Sequence, residues 1–439
     1  MMNPAWNKLT ETIRKADTIR PLGRVRNLVG MVIEVQGLSA PIGSICRINA
    51  GRNEPDVLSE VIGFRDDTLL VMPYQHTRGV ATGRRVDLVS RKMTVPVGPG
   101  LLGRVIDGLG RPLDGGPPLA GLPRKALGGT PPAPLKRKRS AEILGTGIRS
   151  IDSMITTVRG QRMGIFSGSG VGKSILLGML ARNAESQINV LALIGERGRE
   201  VKEFLERDLG PEGLARSVVV VVTSDESAVM RAKGADTAMT IAESFREADQ
   251  SVLFMMDSAT RYAMALREIG LAAGEPPTTK GYPPSVFAAL PRLCERAGWS
   301  DINSMTAFFS VLIEGDDIQD PVGDAMRSIL DGHIMLSRDL ARRHHYPAVD
   351  ILGSVSRLRN DAVQVNDIEA GAKLMAWLKA LEDNRDLINI GAYVAGSDPI
   401  LDEAMDKENE IKSFLTQDMV HGYAAPDTLS GLRQLTGVV

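Results

Sequence analysis

Residues 163–174 read Met-Gly-Ile-Phe-Ser-Gly-Ser-Gly-Val-Gly-Lys-Ser, an apolar run that passes straight into a glycine-rich loop ending in Lys173 and Ser174. Few folds accommodate such a segment. The apolar residues demand a buried strand, Gly168, Gly170 and Gly172 let the backbone curl with its N–H groups turned inward, and residues 175–182 have the composition of a helix. Amides converging ahead of a helix N-terminus cradle anionic oxygens, with Lys173 reaching β- and γ-phosphates and Ser174 holding Mg²⁺. The strict pattern G-x-x-x-x-G-K-[ST] asks for glycine where Ser167 stands. That position ends the strand, whereas the glycines needed for close backbone approach lie further in. The expected nucleotide contacts are therefore Ser167, Gly168, Ser169, Gly170, Val171, Gly172, Lys173, Ser174 and Ile175.

A chain of 439 residues has room for about three domains. Its 43% hydrophobic content supports cores of normal size, and a net charge of −1 implies no general affinity for polyanions. The basic run Lys-Arg-Lys-Arg over 136–139 is read as a solvated linker rather than a nucleic-acid patch. Cys46 and Cys294 stand far apart without metal-ligand spacing, which fits a reducing compartment and excludes a disulfide framework. The first residues, Met-Met-Asn-Pro-Ala-Trp, lack a basic stretch followed by an apolar one, and no apolar run approaches ~18 residues. Neither a signal peptide nor a membrane span is expected.

Composition changes along the chain suggest its divisions. Residues 1–20 carry Trp6, Leu9 and Ile13 at helical spacing, a narrow stripe that suits either a detachable docking helix or packing on its own domain. Residues 21–95 alternate short β-rich runs (31–35, 69–72, 85–89) with Gly and Pro turns, the pattern of a small β-barrel. A Pro/Gly-rich linker over 96–140 leads into continuous apolar runs at 162–166, 189–194, 217–222, 251–256 and 306–312, separated by helical segments. Strands this apolar need cover on both faces, so residues 96–366 predict an α/β domain with a parallel sheet. Residues 367–439 read as a C-terminal helical domain, with Leu374, Leu378 and Leu381 on one helix face.

In an open parallel sheet, ligands bind beyond the carboxyl ends of the strands, so chemistry is sought where each apolar run stops. One stop is the phosphate loop. A second is Gly-Glu-Arg-Gly-Arg-Glu at 195–200, and a third is Asp257 after Val-Leu-Phe-Met-Met. An aspartate at the end of such a strand needs a positive partner, which Mg²⁺ linked through water supplies; capping of the helix that follows is the competing role. Many phosphate-loop motors place their water-activating glutamate next, but the next residue is Ser258, so Glu196 on a neighbouring strand end becomes the candidate base. A Glu/Arg-rich turn on a solvated surface is the alternative. Arg357 follows another largely apolar run and suits a cation delivered to a neighbour's γ-phosphate, an effect worth roughly 10³–10⁵ in rate. By periodicity alone it is one more surface arginine. His344 and His345, adjacent at a helix end, point apart and do not suit a metal.

These residues bring the chain close to a known family. It resembles the export ATPases of bacterial flagella and injectisomes and, more distantly, the α and β subunits of rotary ATP synthases. The likeness extends over nearly the whole chain and is carried by segments 96–99, 147–152, 168–174, 195–200, 257–261, 274–277, 280–287, 346–350 and 354–357. Gly-Glu-Pro-Pro at 274–277, Gly-Tyr-Pro-Pro-Ser-Val-Phe at 281–287 and Asp-Gly-His-Ile-Met-Leu-Ser-Arg at 331–338 look like the export branch. The resemblance implies a catalytic set of Glu196, Lys173, Arg197, Arg261 and Arg357, the last offered to a neighbouring subunit. It also implies ATP and Mg²⁺, Tyr346 against the adenine, and Met419 where the synthase has a second adenine-contacting aromatic, which loosens base selectivity.

Further implications are a cytoplasmic homohexamer, peripheral at the inner-membrane export apparatus, with loop 274–282 facing its pore. Its partners would be a regulatory dimer at the N-terminal helix, a central coiled-coil stalk, export-gate membrane proteins and substrate–chaperone complexes, with no nucleic acid. Two other classes share parts of the pattern. A non-catalytic nucleotide-binding subunit would lack Glu196, and a ring-shaped RNA translocase would carry aromatic stacking platforms on its barrel, where this chain offers little besides Phe64 and Tyr74.

Overall fold

The computed structural model describes residues 22–52, 54–138, 141–313 and 320–438; the docking segment expected over 1–20 lies outside them. The chain divides into two compact units, with the division between Met93 and Thr94.

In the first unit, β1 (Leu22–Val29), β2 (Val32–Gln36), β3 (Ile45–Ile48), β4 (Val57–Arg65), β5 (Thr68–Pro73) and β6 (Arg85–Ser90) close into a barrel in the order β1-β2-β5-β4-β3-β6. Every ladder is antiparallel, and closure leaves no free sheet edge. The period of two sends Ile33, Val35, Ile48, Val61, Val71 and Val86 into the centre, where each is fully buried. Tyr74 is also buried, and its hydroxyl donates to Glu60 Oε2 at 2.7 Å. Of the two barrel aromatics weighed as stacking platforms, only Phe64 is exposed.

The second unit opens with the Pro/Gly-rich segment, which is more ordered than a linker. Strands β7 (Thr94–Pro96) and β9 (Arg124–Ala126) pair with each other, and β8 (Val105–Ile106) joins the edge of the main sheet. That sheet contains β10 (Arg162–Ser167), β11 (Ile188–Glu196), β12 (Ser217–Thr223), β13 (Val252–Asp257), β15 (Ser304–Leu312), β16 (Gly332–Leu336) and β17 (Val349–Ser356). Their order is β17-β16-β10-β15-β13-β11-β12-β8, and the short β14 (Gly298–Trp299) pairs with β15. From β16 to β8 the neighbours run parallel, whereas β17 runs antiparallel to β16. Val190, Ala192, Phe254 and Met256 on one face and Leu191, Leu193, Leu253 and Met255 on the other are all buried, as strands covered by helices on both sides must be.

Three strands continue just past their apolar runs to include Ser167, Glu196 and Asp257, so these polar residues sit together along one sheet edge. The expected C-terminal helix face is present in helix Val365–Asp383, where Leu374 is fully buried and Leu378 and Leu381 pack partly buried beside it. Leu374, Trp377, Ile411, Leu415 and Leu432 share one core with Leu176 and Leu180 of helix Lys173–Asn183. The helical residues thus lie in the same compact unit as the sheet.

Two residues of the basic run, Arg137 and Lys138, are held against the protein rather than solvated. Arg137 Nη2 donates to the Glu295 carbonyl and to Glu295 Oε2, each at 2.6 Å, and Lys138 lies 4.4 Å from the centre of the Trp299 ring. Charge count alone missed this because the acceptor caps the end of helix Pro284–Cys294, 158 residues away in sequence.

Candidate active site

The loop after β10 turns at Gly170 (φ 77°) and Gly172 (φ 94°), left-handed conformations that only glycine adopts without strain. Gly172 then caps helix Lys173–Asn183 without any side-chain hydrogen bond, which leaves the first amides of the helix free to meet an anion. Ser167 and Gly168 are buried at the strand end, Ser169 and Gly170 are exposed at the crest, and Val171 is buried beneath. Ser174 and Ile175 are half-buried in the first helical turn. Tyr346 stands beside this loop, close enough that a Cβ at Gly172 would lie 3.6 Å from its ring.

The charges converge as strand topology requires. Lys173 Nζ is 2.5 Å from Asp257 Oδ1 and 3.6 Å from Glu196 Oε1, so the end of β13 and the end of β11 both face the phosphate loop. Asp257 Oδ1 also accepts a 2.6 Å hydrogen bond from the fully buried Ser310 hydroxyl on β15. Helix capping falls to Ser258, whose hydroxyl accepts from the Arg261 N–H at 3.2 Å, so Asp257 is not occupied as a cap.

Electrostatics sets Glu196 apart from an ordinary carboxylate. Burial, reinforced by the negative charge of Asp257, pushes the Glu196 carboxyl up to about 7, against the pull of Lys173. Burial alone would lower the Lys173 ammonium, but the Asp257 and Glu196 charges outweigh it and the net displacement is upward. Glu196 Oε1 is buried with no hydrogen-bond donor upon it, an acceptor positioned to take a proton from a small molecule such as water.

The candidate arginines occupy different places. Arg261, in helix Ala259–Ala272, packs over Gly195, where an added Cβ would come within 2.9 Å of its own Cβ; its Nε is buried without a partner. Arg197 starts the next helix with its side chain 80% exposed and paired to Glu200 at 3.3 Å. Arg357 is not part of this cluster. Because β17 is antiparallel, Val349 pairs with Leu336 beside Ser167, while Ser356 pairs with Gly332 beside Met163. Tyr346 therefore precedes β17 at the phosphate-loop edge, and Arg357 follows it at the opposite edge, about 13 Å away along the four β16 steps from Leu336 to Gly332, since β17 bulges between Asp350 and Val355. Its Nη2 donates to the Arg327 carbonyl at 3.3 Å, and among the described residues no carboxylate pairs with it.

Ser310 is the site residue that sequence reasoning passed over. The available signal was a hydroxyl inside the otherwise apolar Ala-Phe-Phe-Ser-Val-Leu run, which must find a buried partner. Among the described residues no cluster of three or more His, Cys, Asp or Glu side chains suits a metal. Mg²⁺ needs no such cluster, since it takes one or two protein oxygens with phosphates and waters completing its shell. Asp257 and the Ser174 hydroxyl fit that pattern, because both are hard oxygen donors beside Lys173 and, among the described residues, Asp257 Oδ2 accepts no hydrogen bond.

A glycine loop capped by lysine and serine, on a parallel sheet whose neighbouring strand ends bear a glutamate and a metal-type aspartate, defines a phosphate-loop ATPase. Similarity narrows the class. Residues 25–88 match the β-barrel domain and residues 147–356 the nucleotide-binding domain of the ATP synthase alpha/beta family, and residues 363–434 match the T3SS EscN ATPase C-terminal domain. The chain is 48% identical to the flagellum-specific ATP synthase of Bacillus subtilis, covering 98% of both chains. It is 45% identical to the type 3 secretion system ATPase of Xanthomonas euvesicatoria, over 95% of this chain and 94% of that one. The assembled ATPase EscN of enteropathogenic E. coli superimposes with a TM-score of 0.88 at 42% identity, over 94% of this chain and all of the other. EscN in complex with its central stalk EscO gives a TM-score of 0.87 at the same identity. The chain belongs to the family of flagellar and type III secretion ATPases, and it is an ATPase.

Proposed function

We propose that this ATPase works as a homohexameric ring whose active sites are shared between protomers, and that it drives protein export through the flagellar apparatus. One observation carries the shared-site reading: Arg357 is a cation that no carboxylate pairs with among the described residues, on the sheet edge opposite its own chain's phosphate loop. A protomer cannot use it on its own nucleotide, so its charge is available to a neighbour. The assembled state named for EscN supports the ring.

Within one site, the loop amides and Lys173 hold the β- and γ-phosphates, and Tyr346 lies along the adenine. Ser174 and Asp257, the latter fixed by Ser310, would hold Mg²⁺, which would supply positive charge against the phosphates. Glu196 orients a water in line with the γ-phosphate and takes its proton, leaving inorganic phosphate and ADP. Arg261 and Arg197 border the departing phosphate, and the neighbour's Arg357 meets the charge that develops on the γ-oxygens. Met419 is exposed, with only its carbonyl held by Arg182, so that side of the base pocket discriminates weakly among bases.

The relationship to EscN with its stalk EscO supports a coiled-coil stalk in the pore beside loop 274–282. Regulatory-dimer binding at residues 1–20, delivery from chaperones to membrane gate proteins, and a peripheral cytoplasmic location complete the proposal. Among the described residues no helix is long and apolar enough to cross a membrane. Identity of 48% to a flagellar relative, against 45% to a secretion relative, favours the flagellar system, and the genes flanking this one decide between them.

The shared site is tested by mixing Lys173→Ala with Arg357→Ala protein, each inactive alone. Mixed rings should regain hydrolysis at interfaces that pair an intact loop with an intact arginine. If both variants assemble and mixing restores nothing, Arg357 does not act across the interface.

A further inference from the structure

We infer that Arg162 and Asp331 form a positioning clasp for Arg357. The first residue of the strand that ends in a protomer's own phosphate loop then sets the arginine that the same protomer offers its neighbour. This rests on the shared-site reading above.

Arg162 grips Asp331 from two directions. Its backbone N–H and Nε donate to Asp331 Oδ2 at 3.0 and 2.9 Å, and its Nη2 donates to Oδ1 at 2.9 Å. Its remaining Nη1 pairs with Glu295, which Arg137 holds in turn. The Arg162 side chain is only 14% exposed, so its fork is locked rather than waving in solvent. Asp331, thus fixed, accepts the Arg357 N–H on its backbone carbonyl at 3.0 Å. The preceding residue is pinned as well: Gln161 Nε2 donates to Ser356 Oγ at 3.0 Å, and that hydroxyl donates to the Thr156 carbonyl at 2.8 Å.

The backbone of Arg357 is therefore held by residues at the start of β10, while its guanidinium makes one 3.3 Å contact with a carbonyl. A fixed base beneath a free cationic head is what delivery to a second molecule requires. A purely structural network would stabilise the sheet edge without governing activity at a neighbour's site, and this difference is measurable.

The experiment uses Arg162→Ala and, as the less disruptive variant, the near-isosteric Asp331→Asn, each purified as full-length protein and checked for assembly. As uniform rings both should lose at least about ten-fold in kcat, since misplacing a reacting group by 1 Å costs up to about 10²-fold. KM for ATP should stay within about two-fold, because each chain's own loop is untouched. Mixed with Lys173→Ala protein, either variant should give activity well above the sum of the parts. Mixed with Arg357→Ala protein, neither should, since both partners then carry the same defect. The Lys173→Ala and Arg357→Ala mixture is the control. If that control regains nothing, the shared site falls and the clasp with it. If the control succeeds, the clasp alone is overturned by full kcat in the clasp variants, by rescue with Arg357→Ala, or by no rescue with Lys173→Ala.

Discussion

Glu196 is placed where two demands oppose each other, since a base must be charged to act while burial beside Asp257 favours its neutral form. With its carboxyl raised to about 7, it gains its charge only as pH rises through neutrality. Corrected for the titration of ATP itself, kcat/KM should therefore drop about ten-fold per pH unit below 7; a limb appearing only below pH 5 would contradict the raised carboxyl. For stability the sign is opposite to that of an ordinary ion-paired carboxylate. The folded protein holds this proton between the ordinary glutamate value of 4.5 and about 7, so the contribution is complete below that window and is lost as pH rises through it. Glu196→Gln should bind ATP normally yet lose about 10²–10⁴-fold in turnover, and near-normal hydrolysis would refute its role. Glu196 and Asp257 were legible in the sequence because each interrupts an apolar strand where water is absent. Ser310 was less so, since serine in a strand announces nothing until a partner is in view. The role of Arg357 came from resemblance, because no periodicity separates a free arginine from a delivered one.

At the level of elements, the apolar runs gave β10, β11, β12, β13 and β15 to within two residues, because continuous burial leaves a mark that polar loops do not, whereas β8, β14, β16 and β17 were not among those runs. Strand order was not legible: β10 lies between β16 and β15, elements far from it in sequence. The reversed direction of β17, which sends Tyr346 and Arg357 to opposite edges, was hidden for the same reason. Arg137 was misread because a short basic segment looks solvated until its acceptor at the end of a distant helix is known. The turn after β11 offers a sharp test at this scale. Gly195 has φ 75°, and a Cβ there would meet Arg261 at 2.9 Å. Gly195→Ala should cost about 1–3 kcal/mol from backbone strain and displace Arg261, lowering both thermal midpoint and turnover. An unchanged midpoint by calorimetry, together with unchanged turnover, would show that this turn tolerates a side chain. In helix Val365–Asp383, Leu374→Ala removes a fully buried side chain from the core shared with the phosphate-loop helix and should cost about 2–5 kcal/mol. Chemical denaturation measures this directly, and a loss below about 1 kcal/mol would mean that the shared core is loosely packed there.

For the molecule as a whole, the sheet gathers cradle, base and metal oxygens at one edge and sends the completing cation to the other. Such a chain holds a full set of catalytic groups without assembling them on one nucleotide. Sequence conveyed the parts, their family and, through that resemblance, a shared site as an expectation; which edge each strand end reaches adds support to the proposal. The most direct test is the specific ATPase rate of the wild-type protein measured across a dilution series, with assembly followed in parallel by light scattering. Sites shared between protomers predict a rate per chain that rises steeply with concentration and tracks assembly. A rate per chain that stays flat down to concentrations where only monomer remains would contradict the account.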